Sequence, residues 1–274
     1  MTRSSTKPNP AETEPVARDE VTALARGLQL LRVLAVARSP LSNRALADAT
    51  GIPKATVSRL AATLEANGFV QQDPDSERFN LGPALIDLGT AYLQTFDMRA
   101  LCRPHSTVLA ECTHASVHLG VRDGLDILVI DTVRPSSAVI LTRTDIGTRM
   151  DIATSASGRA YFSALTSSDR QALLDDYRRA APKRWPAVRA MLERAAADVE
   201  ALGYGSSFQE WHRDINAIGI ALRGPRGELY ALSCGGPAYS LSPETLRSEV
   251  ASKALAMQRL VEQACGSAVR ARHR

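Results

Sequence analysis

The stretch KATVSR, which begins at Lys54, brings together side chains that can bind a polyanion. Lys54 and Arg59 are positively charged, and an arginine can donate two parallel hydrogen bonds to a guanine in the major groove. The hydroxyls of Thr56 and Ser58 can bond phosphate oxygens or base edges, and Ala55 is small enough for close approach of the backbone. These residues fit contact with DNA if one helix presents them together.

The spacing of the neighbouring apolar residues predicts that helix. With Val57 facing inward, apolar side chains recur on its face at i+3, i+4 and i+7. They are Leu60, Ala61 and Leu64. Pro53 suits the first position of a helix and Gly68 its end. The opposite face lacks the Glu and Lys of an ordinary exposed helix face, which favours DNA reading. The alternative is that Ser58 and Arg59 simply face solvent.

The flanking sequence predicts a winged helix-turn-helix. Apolar residues recur at helical spacing over 21–37, and Ser42 can cap a short helix over 43–50. Two extended runs, 69–72 and 78–81, are joined by Asp-Pro-Asp-Ser, which favours a turn. Three helices followed by a hairpin support the DNA-reading interpretation of the third helix over simple solvent exposure.

Arginines outside the predicted reading helix are candidates for phosphate contact. Arg78 lies at the predicted hairpin, Arg44 at the start of the second helix and Arg26 in the first, and each could instead be solvated. Lys and Arg outnumber Asp and Glu by only seven to five over residues 21–84. So small an excess favours a dimer that binds two half-sites of palindromic DNA.

Composition limits the class of protein. The 274 residues carry a formal charge of +4 with a pI near 9.0, which allows two domains and an anionic partner. Four scattered cysteines without a CxxC pair predict reduced thiols, and no apolar run approaches the roughly 20 residues of a membrane span. Residues 1–20 are rich in Pro, Ser, Thr and Glu and lack the apolar core of a signal peptide. We therefore expect a disordered arm on a cytoplasmic protein.

The residues after 82 predict an α+β domain. Strands and helices do not alternate as βαβ units, which favours an antiparallel sheet flanked by helices. The predicted strands are 117–121, 127–132, 138–142, 216–222 and 229–234, and the predicted helices are 101–113, 157–165, 168–180, 187–202 and about 243–265. The predicted parts are an arm (1–20), a winged helix-turn-helix (21–82), a linker helix (83–96), a second domain (97–266) and a basic tail (267–274).

Six stretches together resemble the IclR-type bacterial transcriptional regulators. They are VTALARGLQLLRVLA, PLSNRALADATGIPKATVSRLAATLEANGFV and RFNLGPALIDLG in the first half, and MDIATSASGRAYFSAL, INAIGIAL and LSCGGPA in the second. Their order and spacing carry the resemblance, from residue 21 to about residue 265. It implies a winged helix-turn-helix, a linker helix and a GAF-like effector-binding domain. It also implies dimers formed through the DNA-binding half and, often, tetramers formed through the sensing half.

The resemblance also implies an effector pocket in the second domain, where several family members hold small organic acids. Its residues map onto Met150, Ala156, Ser157, Gly158, Glu210, Ala217, Ser233 and Gly235. The chain departs from the family pattern at Asp151, where proline is usual, and at Gly235, where a small polar residue is usual. Trp211 adds a large aromatic side chain beside Glu210.

The small residues at 155–158 support a pocket on physical grounds. Opening a helix, they would present free N–H groups and the positive end of a helix dipole, to which a carboxylate binds favourably. Arg149 could add a positive charge. The alternative is a tight turn packed against the sheet without a ligand.

Three other classes of function remain as alternatives. In an enzyme, Cys234 could be a nucleophile with His118 or His212 as its base, although a cysteine at a strand end is more often inert. A metal site could use a group of residues close in sequence, although their spacing is not that of a zinc finger. These residues are Cys102, His105, Cys112, His114 and His118. A module that binds a ligand or partner without regulating genes is the third.

The sequence therefore predicts a ligand-responsive DNA-binding transcriptional regulator, and more specifically a repressor of catabolic or metabolic genes that responds to a small organic acid. The predicted partners are a palindromic double-stranded operator, a carboxylate effector and further copies of the chain. No cofactor, metal, catalytic residue or membrane contact is predicted.

Overall fold

The computed structural model describes residues 21–37, 39–137 and 144–272. The chain divides into two compact units, Met1–Leu93 and Gln94–Arg274. The predicted arm over 1–20 and the predicted strand over 138–142 lie outside the described residues. Within those residues, no helix is both long and apolar enough to cross a bilayer.

The N-terminal unit is the predicted winged helix-turn-helix, which is thereby confirmed. The Ser42 hydroxyl accepts a hydrogen bond from the Ala45 N–H and so caps the second helix as expected. The elements are α1 (Thr22–Val36), α2 (Asn43–Thr50), α3 (Lys54–Ala66), β1 (Val70–Gln72), β2 (Phe79–Leu81) and α4 (Ala84–Gln94). The strands β1 and β2 pair antiparallel, with Val70 opposite Leu81.

One apolar cluster holds the three helices and the hairpin together. Val57 is fully buried and Ala61 nearly so, and Leu60 and Leu64 are half-buried against the same cluster. The predicted inward face of α3 is therefore correct. The buried members are Leu30, Leu34, Leu46, Ile52, Val57, Ala61, Val70 and Phe79.

The C-terminal unit is a six-stranded sheet covered by helices, which confirms the α+β class. Its strands are β3 (Ser116–Asp123), β4 (Asp126–Val133), β5 (Arg149–Asp151), β6 (Gly205–Phe208), β7 (Ile215–Arg223) and β8 (Leu229–Pro237). Its helices are α5 (Asp97–Thr113), α6 (Ala156–Ala164), α7 (Ser167–Ala180), α8 (Trp185–Leu202), α9 (Pro243–Thr245) and α10 (Ala251–Arg272). A π-helical turn, Leu246–Val250, joins α9 to α10. The predicted tail over 267–274 thus begins inside α10.

The strand order is β5-β4-β3-β8-β7-β6, and all neighbours run antiparallel. The short edge strands β5 and β6 are absent from the prediction. The helix α5 begins four residues earlier than predicted and contains Pro104. A buried cluster that includes Ile127, Ile152 and Phe162 joins the sheet to α6, α7 and α8.

Two glycines let the start of α6 lie directly on the sheet. A Cβ added at Gly219 of β7 would lie 2.3 Å from the carbonyl carbon and oxygen of Ala156. A Cβ added at Gly158 of α6 would lie 2.3 Å from the Cα of Ile152. Both contacts are with backbone, which cannot rotate away. Because both positions are glycine, the N-terminus of α6 can pack closer to the strands than a larger residue at either position would allow.

Gly219→Ala is expected to destabilise the C-terminal unit by about 1–3 kcal/mol, because the added methyl group forces α6 away from β7. Urea unfolding followed by circular dichroism measures the change. Gly89→Ala is the control, since nothing lies within 4 Å of a Cβ at that exposed helical site. Equal stability of the two variants would contradict the close-packing argument.

Candidate nucleic-acid interface and ligand cavity

The outward face of α3 presents the candidate DNA-contacting residues together. Lys54, Ala55, Ser58 and Arg59 are exposed and Thr56 is half-exposed. Among the described residues, no hydrogen bond or ion pair is seen for the guanidinium of Arg59. The first turn of α3 also exposes N–H groups that have no intrahelical partner. The charged groups of Lys54 and Arg59 can therefore meet a polyanion without first breaking a contact seen among the described residues.

Asn43, at the start of α2, is a residue that the sequence analysis did not single out. Its side-chain amide donates to the Ser58 hydroxyl, which in turn donates to the Lys54 carbonyl at 3.2 Å. These bonds fix the direction of the Ser58 hydroxyl. No one-dimensional pattern could have indicated this, because the two residues are joined only when α2 and α3 cross.

Two of the three candidate phosphate contacts outside α3, Arg44 and Arg78, have internal partners, whereas Arg26 is exposed. Arg44 lies 3.7 Å from Asp48 in an exposed ion pair, which contributes little stability. The Arg78 guanidinium donates to the Pro40 carbonyl at 3.5 Å, beside the turn that joins β1 to β2. The hairpin tip between β1 and β2 carries three exposed carboxylates, at Asp73, Asp75 and Glu77. The hairpin therefore carries one positive charge, on Arg78, and three negative charges. Because the negative charges lie at the tip, the tip would repel a phosphate backbone.

A cavity of about 70 Å³ lies in the C-terminal unit at the start of α6. A water needs roughly 10–15 Å³ by this measure, so the cavity has room for several waters or a small organic molecule. Six of the eight predicted effector residues line it. They are Met150, Ala156, Ser157, Ala217, Ser233 and Gly235.

The cavity floor is a product of cross-strand register. One row across four strands is Ser207, Ala217, Gly235 and Ser116, paired in that order. The next row is Gly219, Ser233, His118 and Thr132, of which Ser233 and His118 line the cavity. Small residues in both rows leave the space, and α6 closes it above Gly219.

Two predicted effector residues lie elsewhere. Gly158 is not part of the cavity lining and packs on Ile152. The Glu210 carboxylate is held by the buried Arg159 guanidinium, with Nη1 2.5 Å from Oε2 and Nη2 2.8 Å from Oε1. Arg149, the suggested source of charge, pairs instead with Asp123 at 2.5 Å. A direct ligand contact by Glu210 stays a prediction.

Several residues that line the cavity were not predicted as pocket residues from the sequence. They are Ser116, His118, Arg134, Thr144, Ser207, Ile215, Gly236 and Pro237, together with Trp211, which was noted only as a departure. The alternation of Ser116 with His118, and of Ser233 with Gly235, is a period-two signal that could have indicated them. Arg134 and Thr144 belong to loops and carry no such signal, whereas Ser155 lies in the 155–158 stretch that the sequence analysis did predict.

The cavity lining combines hydroxyls with a helix start and carries no carboxylate among its described residues. The Ser155 hydroxyl oxygen already accepts a hydrogen bond from the Gly158 N–H at 3.1 Å and so caps α6. The Ser157 hydroxyl is fully buried and has no hydrogen-bond partner among the described residues. An unpaired buried hydroxyl costs about 1–3 kcal/mol, which a bound ligand would offset.

Arg134 is a positively charged residue in the cavity lining. Its guanidinium donates to the Thr144 carbonyl at 2.8 Å and to Asp145 at 2.5 Å, so part of its charge is neutralised. His118 bonds Thr132 through its Nδ1 at 3.2 Å. Burial lowers the pKa of His118 to about 4, and the charge of Arg134 adds to this effect while Asp145 opposes it. The imidazole is therefore neutral at physiological pH.

We expect NMR to show His118 neutral down to about pH 4. The unfolded chain takes up a proton near the ordinary pKa of 6.5, whereas the folded chain does so only near 4. Stability is therefore retained above pH 6.5 and falls by up to about 3 kcal/mol as the pH drops towards 4. The Cε1–H titration, assigned with His118→Gln, measures the pKa. Titration of this resonance near 6.5 would contradict the burial argument.

The residues of the enzyme and metal alternatives do not converge. Cys234 is buried, and burial raises the pKa of its thiol to about 12, which disfavours the nucleophilic thiolate. Its partner is the Thr113 hydroxyl at 3.7 Å rather than an imidazole. In the described part of the chain, no three His, Cys, Asp or Glu side chains are grouped so that they could hold a metal ion.

Comparison with known proteins gives the same division of the chain. Residues 23–74 match the family described as "IclR helix-turn-helix domain", and residues 90–262 match "Bacterial transcriptional regulator IclR C-terminal". An HTH-type transcriptional regulator of Comamonas testosteroni, TsaQ1/TsaQ2, is 30% identical over 84% of this chain and 83% of its own.

Two further relatives cover nearly the whole chain. The HTH-type transcriptional repressor AllR of Salmonella typhi is 26% identical over 91% of this chain and 92% of its own. The crystal structure of an IclR family transcriptional regulator from Brucella abortus is 35% identical and superposes with a TM-score of 0.78. That alignment covers 93% of this chain and 96% of the other.

Proposed function

Because the chain belongs to the IclR family of bacterial transcriptional regulators, we propose that its α3 face reads an operator and that a small carboxylate in the C-terminal cavity controls this binding. In this family the helix-turn-helix domain binds DNA and the C-terminal domain binds an effector. The observation that carries the proposal is a pair of sites with unpaired groups: an α3 face whose Arg59 guanidinium has no partner among the described residues, and a cavity of about 70 Å³ whose Ser157 hydroxyl has none.

The proposed reading of DNA is concentrated in α3. Arg59 and Ser58 face the base edges, and Lys54 with the first-turn N–H groups binds a phosphate. Arg44 and Arg78 add phosphate contacts at the flanks, where the acidic hairpin tip limits their effect. With so few phosphate contacts, sequence-independent affinity for DNA is modest. Specificity then rests on the base contacts of α3.

The proposed DNA-binding species is a dimer on a palindromic operator. Exposed apolar residues recur at Val21, just before α1, and at Leu24 and Leu28 within it, and α4 exposes Ile86 and Leu88. These faces suit a second copy of the chain, since helical surfaces this apolar are unusual against water. Two reading helices then meet two half-sites about one helical turn apart.

The proposed effector is a small organic acid with an apolar body. Its carboxylate would accept from the Ser157 hydroxyl and the first turn of α6, where the helix dipole is positive. The lack of lining carboxylates among the described residues and the presence of Arg134 favour an anion. Trp211 and Ile215 offer apolar surface for the remainder of the ligand. The proposed site residues are Met150, Ala156, Ser157, Ala217, Ser233 and Gly235.

We propose repression that the effector modulates, in the cytoplasm where the chromosome lies. AllR, a relative of similar length, is a repressor by name. For the effector to change operator affinity, it must bind the DNA-competent and DNA-incompetent arrangements of the protein with different affinity.

Fluorescence anisotropy on duplex DNA from upstream of the protein's own gene, against a scrambled duplex and across a salt series, tests the DNA-binding half of the proposal. Tight binding to the native duplex alone, weakening with salt, supports it. Equal weak binding to both duplexes would count against operator recognition at that site.

A further inference from the structure

Arg159 is a buried cation that the proposed ligand contacts do not use. It lies on the second turn of α6, and only 8% of its surface is exposed. A buried charge is costly unless it is paired and fully hydrogen-bonded. A buried arginine therefore needs hydrogen-bond acceptors around its guanidinium, and Arg159 has several.

Its guanidinium binds three residues in two separate segments, the loop before α6 and the stretch formed by β6 and the turn after it. Nε donates to the Ala153 carbonyl at 2.8 Å, and Nη1 donates to the Ser206 carbonyl at 2.6 Å. Nη1 and Nη2 together hold both oxygens of Glu210, at 2.5 and 2.8 Å. Only a planar fork with donors on three nitrogens can make these bonds together, which a lysine ammonium cannot reproduce.

Each of the three partners lies beside a wall of the cavity. Ala153 precedes Ser155 by two residues, Ser206 precedes Ser207, and Glu210 precedes Trp211. Ser155, Ser207 and Trp211 all line the cavity. The Trp211 N–H also donates to the Ser207 hydroxyl at 3.3 Å, which connects two of these walls directly.

We propose that Arg159 is a positioning residue for the ligand cavity, which fixes Ser155, Ser207 and Trp211 around the ligand by binding Ala153, Ser206 and Glu210. The proposal rests on the proposed ligand function of this cavity. It also gives Glu210 a role that differs from ligand contact: its carboxylate completes the bonding of Arg159 and holds the Trp211 backbone near α6.

Glu210 is the safer position for a test, because 40% of its side chain is exposed and its replacement does not leave a cavity in the core. Partial burial alone would raise the pKa of Glu210, but the hydrogen bonds and charge of Arg159, together with a backbone hydrogen bond from Phe208 and the charge of Arg194, lower it below its ordinary value of 4.5. Glu210 is thus ionised at neutral pH, and Glu210→Gln removes one charge from the pair with little change of shape.

The test uses Trp211 fluorescence of the full-length, ligand-free protein in a Trp185→Phe background, since the chain has two tryptophans. Glu210→Gln and Arg159→Lys are expected to shift the Trp211 emission to longer wavelength and to raise its quenching by acrylamide. Two controls are expected to leave both readings unchanged. Glu193→Gln removes an exposed ion pair of α8, and Arg170→Lys removes guanidinium bonds to the Phe162 and Ser163 carbonyls at the far end of α6.

Wild-type emission and quenching in both Glu210→Gln and Arg159→Lys would overturn the proposal, as would equal changes in the controls. If Arg159→Lys does not fold, Glu210→Gln alone decides. A second measurement titrates each protein with benzoate, which is expected to bind Glu210→Gln about fivefold more weakly than the wild type. Absence of benzoate binding to the wild type counts against the proposed ligand class only, because the ligand-free fluorescence has already decided the role of Arg159.

Discussion

Arg59→Ala is expected to weaken specific operator binding by about 1–3 kcal/mol and to relax the preference at one base position of each half-site. The guanidinium is exposed on the outward face of α3, and no internal partner is seen for it among the described residues. Its loss therefore removes a contact with DNA and leaves the fold intact. Anisotropy on a set of duplexes that differ at single positions measures both effects.

Arg59→Lys separates reading of a base from attraction to phosphate. Lysine keeps the charge but lacks the paired donors that match guanine, so discrimination is expected to fall while the salt dependence stays close to that of the wild type. Arg189→Ala, which removes an exposed helical arginine of the C-terminal unit, is the control. Unchanged discrimination in Arg59→Ala would remove Arg59 from the reading role.

Ser157→Leu is expected to abolish the response to effector while operator affinity stays at the wild-type level. Ser157 is fully buried and lines a cavity of only about 70 Å³, so a branched side chain there occupies the ligand's space. Overpacking at the site costs about 1–3 kcal/mol of stability, which the thermal midpoint reports separately. Anisotropy of the operator complex, with and without effector, measures the response.

Ser157→Ala is the matched control for that result. It removes only the hydroxyl that lacks a partner among the described residues, so the cavity remains and effector affinity is expected to fall by about 1.5–3 kcal/mol. A wild-type response in Ser157→Leu would show that the effector binds elsewhere. A wild-type affinity in Ser157→Ala would remove the hydroxyl from ligand contact.

The N-terminal unit could be predicted almost element by element because its signals are local. Ser42 caps its helix through a residue three positions away, and the inward face of α3 follows from the spacing of Val57, Ala61 and Leu64 alone. The same holds for the strands β3, β4, β7 and β8, whose apolar runs are long enough to be recognised.

The remainder depends on residues distant in sequence. The edge strand β6 is Gly-Ser-Ser-Phe, which has little strand propensity and forms because β7 provides its hydrogen bonds. The pairing of Arg159 with Glu210 spans 51 positions. The row from Ser207 through Ala217 and Gly235 to Ser116 exists only once four strands are in register, so the alternation within one strand could not show which residues meet at the cavity floor.

The measurement that tests the account most directly is an anisotropy titration of the full-length protein–operator complex with small carboxylates, beginning with acetate, pyruvate and benzoate. Wild type, Ser157→Leu and Arg59→Ala are compared in one salt condition. We predict that a carboxylate changes the operator affinity of the wild type, that Ser157→Leu binds the operator without responding, and that Arg59→Ala binds the operator poorly. A response of Ser157→Leu equal to that of the wild type would contradict control through this cavity.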